Sequence, residues 1–290
     1  MAQIINSLEE LSDRYDALFC DLWGCVHNGV KAFPEAVAAL RAFRAKGKAV
    51  VLLTNAPRPW SALMPQFERF EVPSDCYDAI ATSGDSARAA LFDGAVGQKV
   101  YFIGQPHDQP FFEPMDLLEN PLEIEQVALE DAEGIVCCGP FDPLVHPDEM
   151  RPAFLQAKQM GLKLLCANPD IVVDRGEVRE WCAGALAQLY SEMGGESLYF
   201  GKPHPPIYDL ARRRLARAGF DVEPSRILAV GDGVLTDIKG AMGEDIDSLF
   251  ITGGLAAAET LTKTDPDPAK LDQYLAQEHA NPTFAIGFLR

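Results

Sequence analysis

The chain has 290 residues, with 25 Lys and Arg against 43 Asp and Glu, for a formal net charge of −18; an acid excess of this size excludes a nucleic-acid grip by bulk charge. With 48% hydrophobic and 23% charged residues, the composition is that of a folded globular protein, not a disordered one. No run of about 18 apolar residues occurs, and Glu9, Glu10 and Asp13 stand where an export signal needs a basic start and an apolar stretch; the expectation is a cytoplasmic protein with no membrane partner.

At this length one core nears its practical limit, so a core with a second, smaller domain is expected. Ala17 to Cys20 reads as a buried strand. Pro34 to Lys46 reads as a helix with proline in its first turn and Gly47 at its end, and Lys48 to Thr54 as the next strand. Trp60 to Phe70 reads as helical despite Pro65, Asp78 to Thr82 as a third strand, and Gly84 to Phe92 as a helix capped by Thr82 or Ser83. The alternation then starts again. Lys99 to Ile103, Gly134 to Cys138 and Leu162 to Ala167 are strand-like; Asp148 to Met160 and Trp181 to Met193 are helix-like. Leu198 to Phe200, a helix over Ile207 to Ala218, the strand Ile227 to Val230, a helix Leu235 to Met242 and the strand Ser248 to Ile251 resume the first style.

The expected fold class is therefore α/β: a Rossmann-like parallel-sheet core, 1–84 and 198–290, with an inserted α/β domain at 85–197. Glu119 to Glu133 is expected as an acidic loop or short helix inside the insert, with hinges near Ser83 to Asp85 and Ser197 to Gly201. Seven cysteines are an odd count. Cys20, Cys137, Cys138 and Cys166 lie in apolar runs and read as small buried hydrophobes. No Cys-x-x-Cys occurs, and Cys20 and Cys25 lack a paired second half, so neither a disulfide framework nor a structural zinc site is expected.

Four polar constellations stand where strands give way to loops: Asp21-Leu-Trp-Gly24, Thr54-Asn55, Gly201-Lys202-Pro203, and Gly231-Asp232-Gly-Val-Leu-Thr236-Asp237. In an open parallel sheet the carboxyl ends of strands share one crevice, so distant residues can meet there. Taken singly, each is also a good turn or cap. Three carboxylates brought together repel one another unless a cation sits among them, and oxygen-rich sites of this kind suit Mg²⁺. A lysine, a hydroxyl and loop N–H groups on the same rim are what a phosphoryl group requires. Neither a complete dinucleotide fingerprint nor a Gly-x4-Gly-Lys-Ser/Thr phosphate loop is present.

Asp21 with Gly24 and Gly29, Thr54-Asn55, Lys202 in Gly-Lys-Pro, and Gly231-Asp232 with Thr236-Asp237 together resemble the four motifs of the haloacid dehalogenase superfamily. The long insertion, with Asn168-Pro-Asp170, resembles its class IIA (NagD-type) cap. The resemblance implies a Mg²⁺-dependent phosphatase of a small phosphorylated metabolite. Asp21 would be the nucleophile that forms an aspartyl-phosphate. Thr54 and Asn55 would hold the phosphoryl group, and Lys202 would neutralise its charge. Asp21, Asp232 and the Trp23 carbonyl would ligate the metal with Asp237 close behind. Arg58, Asn168 and Asp170 are further candidates for substrate contact, though Arg58 can equally pair with a carboxylate and Asn-Pro-Asp is a good turn. Similar proteins pair through cap surfaces, so a homodimer is possible.

One position departs from the pattern. Phosphatases of the superfamily carry a second Asp two residues after the nucleophile, as general acid and base; here it is Trp23. His27, six residues on, has an ordinary pKa suited to replace it as proton carrier, or it is simply a hydrogen-bonded loop histidine. Two alternatives follow from Trp23: a phosphometabolite-binding or sensor protein with little turnover, and a phosphotransfer or phosphonate variant.

Overall fold

The computed structural model describes residues 2–290 except 114, 116, 117, 119, 176 and 177. In chain order the core begins with strands Gln3–Ile4 (β1) and Ala17–Cys20 (β2), helix Pro34–Ala45 (α1), strand Ala49–Thr54 (β3), helix Met64–Phe70 (α2) and strand Ala79–Thr82 (β4). Next come helix Ser83–Phe92 (α3), Lys99–Ile103 (β5), Glu125–Gln126 (β6), Gly134–Cys137 (β7), helix Arg151–Met160 (α4), Lys163–Cys166 (β8), Val172–Arg175 (β9), Val178–Trp181 (β10), helix Ala183–Glu192 (α5) and Glu196–Tyr199 (β11). Helix Pro205–Arg217 (α6), Ile227–Gly231 (β12), helix Lys239–Gly243 (α7), Asp247–Ile251 (β13), helix Pro268–Gln277 (α8) and Phe284–Ile286 (β14) complete it.

Two compact units result. One comprises 1–54, 64–81 and 202–290; the other comprises 55–63 and 82–201. Residues 55–63 group with 82–201 in the second unit. Hydrogen bonds explain this: Thr82 Oγ1 donates to Arg58 O at 2.7 Å, Trp60 N to Asp85 Oδ2 at 3.1 Å, and Gly84 N to Ala56 O at 3.0 Å.

The first unit carries a seven-stranded sheet in the order β1-β14-β13-β12-β2-β3-β4, parallel from β1 through β3. All six residues of β3 and all four of β2 are buried, the continuous apolar run of strands covered on both faces. Helix α1 starts on Pro34 with Glu35 in its first turn and buries Ala36, Val37, Leu40 and Phe43, one stripe at helical spacing. Burying Leu40 and Phe43 stabilises the fold by about 1.5–3 kcal/mol each.

The second unit carries a five-stranded parallel sheet, β11-β8-β7-β5-β6, and an antiparallel hairpin of β9 and β10. Alternate residues of its strands feed two cores. Ile135, Cys137, Leu164 and Cys166 enter one, and Val136, Cys138, Leu165 and Ala167 the other. All seven cysteines are buried and unbridged, among them Cys20, Cys137, Cys138 and Cys166, which the sequence reading takes as buried hydrophobes.

Several elements differ from the sequence expectation, three of them near the segments already named. Trp181 ends strand β10 instead of starting a helix, because its N donates to Pro143 O and Cys182 N donates to Ile171 O, both at 2.9 Å. Val234–Ile238 is a π-helical turn before α7: Asp237 N and Ile238 N both donate to Gly233 O, at 2.8 and 3.2 Å. The acidic stretch holds the two-residue β6 and a short 3₁₀ turn at Leu129–Asp131; its first residue, Glu119, lies outside the described residues.

Candidate active site

Strands β12 and β2 are neighbours, with Val230 opposite Cys20, so the residues that follow them, Asp21 and Asp232, emerge side by side. Asp21 N donates to Val230 O at 2.8 Å, extending the ladder by one residue. Thr54 closes the adjacent strand β3 and is buried. Lys202, just before α6 and 2% exposed, donates from Nζ to Asp21 Oδ1 at 2.5 Å and to Asp237 Oδ1 at 2.6 Å. The other Asp237 oxygen accepts from Gly233 N at 3.1 Å. Asp232 Oδ2 accepts from Leu255 N at 3.0 Å.

Metal-ligating atoms of Asp21, Asp232 and Cys25 lie within 4.8 Å of one another. Asp237, expected near the metal, has one oxygen held by Lys202 and the other by Gly233 N, and braces the lysine. Cys25 was not expected here. Its only signal in the sequence is its place four residues beyond Asp21 on one tight turn.

That turn is fastened by its own backbone. Val26 N and His27 N both donate to Leu22 O, at 2.8 and 3.0 Å, and Gly24 N donates to His27 O at 3.0 Å. Gly24 has φ +71°, and a Cβ there would lie 2.1 Å from Asp232 Oδ2; only glycine lets the turn close on that carboxylate. The Trp23 side chain lies over Gly29, where a Cβ would fall 2.3 Å from the indole, and its ring centroid is 5.3 Å from that of His27.

His27 is 1% exposed, its ring 5.0 Å from Phe70, and its Nδ1 accepts from Gly29 N at 3.1 Å. Burial lowers its pKa to about 4. An imidazole that is neutral at pH 7, with Nδ1 occupied, is poorly placed to shuttle protons. The alternative reading, a loop histidine held by a hydrogen bond, is the one the geometry matches.

Electrostatically, one ammonium faces three buried carboxylates. Burial alone would lower the Lys202 pKa, but the charges of Asp21 and Asp237 outweigh it and hold the amine well above its usual range. Burial, then the Asp237 charge, raises Asp232 to about 7. Asp21 is pushed upward by burial, against the pull of Lys202 and with the push of Asp237 and Asp232. Negative charge in excess of its counter-charge, in a buried place, is the condition under which a cation binds.

The second unit holds the other expected residues. Asn55 Nδ2 donates to Asp170 Oδ1 at 2.8 Å, and Asn168 Oδ1 accepts from Asp170 N at 3.0 Å, so Asn55, Asn168 and Asp170 form one hydrogen-bonded group. Arg58 Nε lies 3.8 Å from the buried carboxylate of Asp108. Arg88, also buried, pairs with Asp85 at 2.7 Å; a carboxylate partner for Arg58 is one of the two expectations, and the residues alone single out neither Asp108 nor Asp85 as a partner.

A haloacid dehalogenase-like hydrolase profile matches residues 18–117, and a second profile, HAD-hydrolase-like, matches residues 199–277. A solved hydrolase of the haloacid dehalogenase-like family from Brucella suis 1330 is 39% identical, covers 99% of this chain and 100% of that chain, and superposes with a TM-score of 0.83. The chain belongs to the haloacid dehalogenase-like hydrolase family. Its parallel core sheet with a second, inserted parallel sheet is the class IIA, NagD-type arrangement. Among curated proteins it resembles human glycerol-3-phosphate phosphatase, at 25% identity over 85% of this chain and 79% of that protein. It also resembles the ribonucleotide monophosphatase NagD of Escherichia coli K12, at 23% identity over 84% and 90%.

Haloacid dehalogenase-like hydrolases bind a divalent metal. The residues here fit one: two buried carboxylates converge, and burial and like charge raise the pKa of both. Among the described residues no helix is long and apolar enough to cross a membrane.

Proposed function

We propose that this hydrolase is a Mg²⁺-dependent phosphatase of a small phosphorylated metabolite, working through an aspartyl-phosphate on Asp21. The observation that carries the reading is the Lys202 ammonium held between Asp21 at 2.5 Å and Asp237 at 2.6 Å, beside Asp232. The resemblance to phosphatases of glycerol 3-phosphate and ribonucleotides supports the substrate class.

An Asp21 carboxylate oxygen attacks phosphorus, and the bond to the leaving oxygen breaks as the new P–O bond forms. Lys202 pulls Asp21 toward its ionised form and aims it, and neutralises charge gathering on the phosphoryl oxygens. Thr54 and Asn55 hold that group, and Asn168, Asp170 and Arg58 serve the remainder of the substrate. When bound, Mg²⁺ at Asp21, Asp232 and the Trp23 carbonyl supplies charge neutralisation and in-line alignment. Water then attacks the aspartyl-phosphate, releasing inorganic phosphate and regenerating Asp21.

Trp23 has no acidic proton to give, so the leaving oxygen departs unprotonated or takes its proton from water. Alkyl phosphates are therefore turned over weakly, with a relative preference for aryl, acyl and anhydride phosphates, whose leaving groups need no proton. The test is release of phosphate from a panel of such esters with Mg²⁺, beside Asp21→Asn. Mg²⁺-dependent release that the variant lacks is expected. Tight binding of a phosphometabolite without release by either protein would overturn the reading in favour of a sensor, and transfer to an acceptor other than water would make it a phosphotransferase.

A further inference from the structure

The metal-ligating group near Asp21 is not made of oxygen alone. Cys25 is 1% exposed, and its Sγ is within 4.8 Å of carboxylate oxygens of both Asp21 and Asp232. The turn that carries it is fastened at Leu22 O by two backbone N–H groups, so the backbone beneath the sulfur is fixed while its side chain can rotate toward the carboxylates. We propose that Cys25 gives this site a soft donor, so that a thiophilic divalent ion of the zinc class binds through the Cys25 sulfur and the Asp21 and Asp232 carboxylates and displaces Mg²⁺.

The argument is one of donor chemistry and distance. Mg²⁺ takes oxygen ligands in near-octahedral geometry and keeps several waters, so a thiol adds nothing to its binding. Zinc binds sulfur at about 2.3 Å and carboxylate oxygen at about 2.0–2.2 Å in a tetrahedron, which sets neighbouring donors roughly 3.5 Å apart. Donors already within 4.8 Å of one another need to close by about 1 Å, within the reach of side-chain rotation. Two carboxylates and one thiolate fill three corners, and water or a phosphoryl oxygen fills the fourth. A mixed sulfur and oxygen set favours zinc over magnesium both by ligand softness and by the general affinity order of divalent ions. As the metal–sulfur bond forms, the thiol proton passes to solvent, together with any proton still held by the ligating carboxylates. The same ion ties down Asp21, the nucleophile, so its binding opposes phosphoryl transfer. The inference rests on the divalent-ion site of the proposed phosphatase, though not on its turnover.

Cadmium serves as the spectroscopic probe, because its bond to sulfur gives an ultraviolet charge-transfer band. Titrated into the full-length metal-free protein, one equivalent of Cd²⁺ should produce that band, and excess Mg²⁺ should diminish it. Calorimetric titration of Zn²⁺ and Mg²⁺ into the wild type, Cys25→Ser and Cys25→Ala should show the ratio of zinc to magnesium affinity falling about tenfold or more in both variants. No band in the wild type, a band indifferent to Mg²⁺, or an unchanged affinity ratio would each overturn the proposal. The wild-type competition stands even if both variants fail to fold, since cysteines remote from the carboxylates have no reason to respond to Mg²⁺. Phosphate release is measured separately: its absence alongside a competed band removes the phosphatase reading and leaves this one intact.

Discussion

Trp23→Asp tests the idea that the chain lacks a general acid, and the structure sets what the substitution does. The backbone at position 23 is held from both sides, by the bonds of Val26 N and His27 N to Leu22 O and of Gly24 N to His27 O, so an aspartate enters a turn of unchanged path. What is lost is the indole over Gly29 and its edge contact with His27. Trp23 is 37% exposed, so the loss of packing is a fraction of the roughly 3–5 kcal/mol that a fully buried Trp costs on truncation. What is gained is a carboxyl two residues from the nucleophile. A positioned acid contributes about 10²- to 10⁴-fold, or about 3–5 kcal/mol of barrier. That gain applies to alkyl phosphates, whose leaving oxygen needs a proton, and only weakly to p-nitrophenyl phosphate. The assay is kcat/KM for both esters in wild type and variant at saturating Mg²⁺. The alkyl value should rise by about 10²-fold or more, and the aryl value by much less. Equal change in the two, or no change in the alkyl value of a folded variant, would refute the reasoning.

Lys202→Met removes the ammonium between Asp21 and Asp237 and leaves buried carboxylates uncompensated; urea denaturation of the metal-free protein should register a loss of about 3–5 kcal/mol, with phosphate release abolished. Asp232 keeps its proton up to about pH 7 in the fold, against an ordinary value of 3.8. Its contribution to stability is therefore complete at low pH and lost as pH rises to about 7, so Mg²⁺ should raise Tm more above about pH 7 than below about pH 4; an equal shift at both would contradict this. His27 has the opposite sign. With a folded pKa of about 4 against 6.5, its contribution is present above about pH 6.5 and lost as pH falls through about 4. His27→Gln keeps an acceptor for Gly29 N, so it should flatten the stability profile in that window while retaining turnover; a collapse of kcat with no change in the profile would restore the histidine as a proton carrier.

Much of the architecture was legible in the residues because parallel strands buried on both faces must be short, unbroken apolar runs. Ala49–Thr54 and Ile227–Gly231 are such runs, and a polar residue that ends one stands at the sheet's carboxyl edge. That pattern determined the α/β class, the inserted second unit, and the nomination of Asp21, Thr54, Lys202, Asp232 and Asp237. The edge strands Gln3–Ile4 and Phe284–Ile286 escaped it, being too short to show a period, and the allegiance of 55–63 depended on hydrogen bonds to α3 that no local pattern encodes.

The order of strands across the sheet, and not along the chain, decided which candidate donor side chains stand together. β12 lies against β2, so Asp232 meets Asp21, while Asp237 turns to Lys202 and Cys25 enters from the nucleophile's own turn. Burial likewise decided protonation: His27 looks like a neutral-pH acid in the sequence and is held neutral by the desolvation around it. Local composition carries propensity and periodicity, whereas ligand sets and pKa values are properties of through-space distance and solvent exclusion, which exist only once the chain has packed.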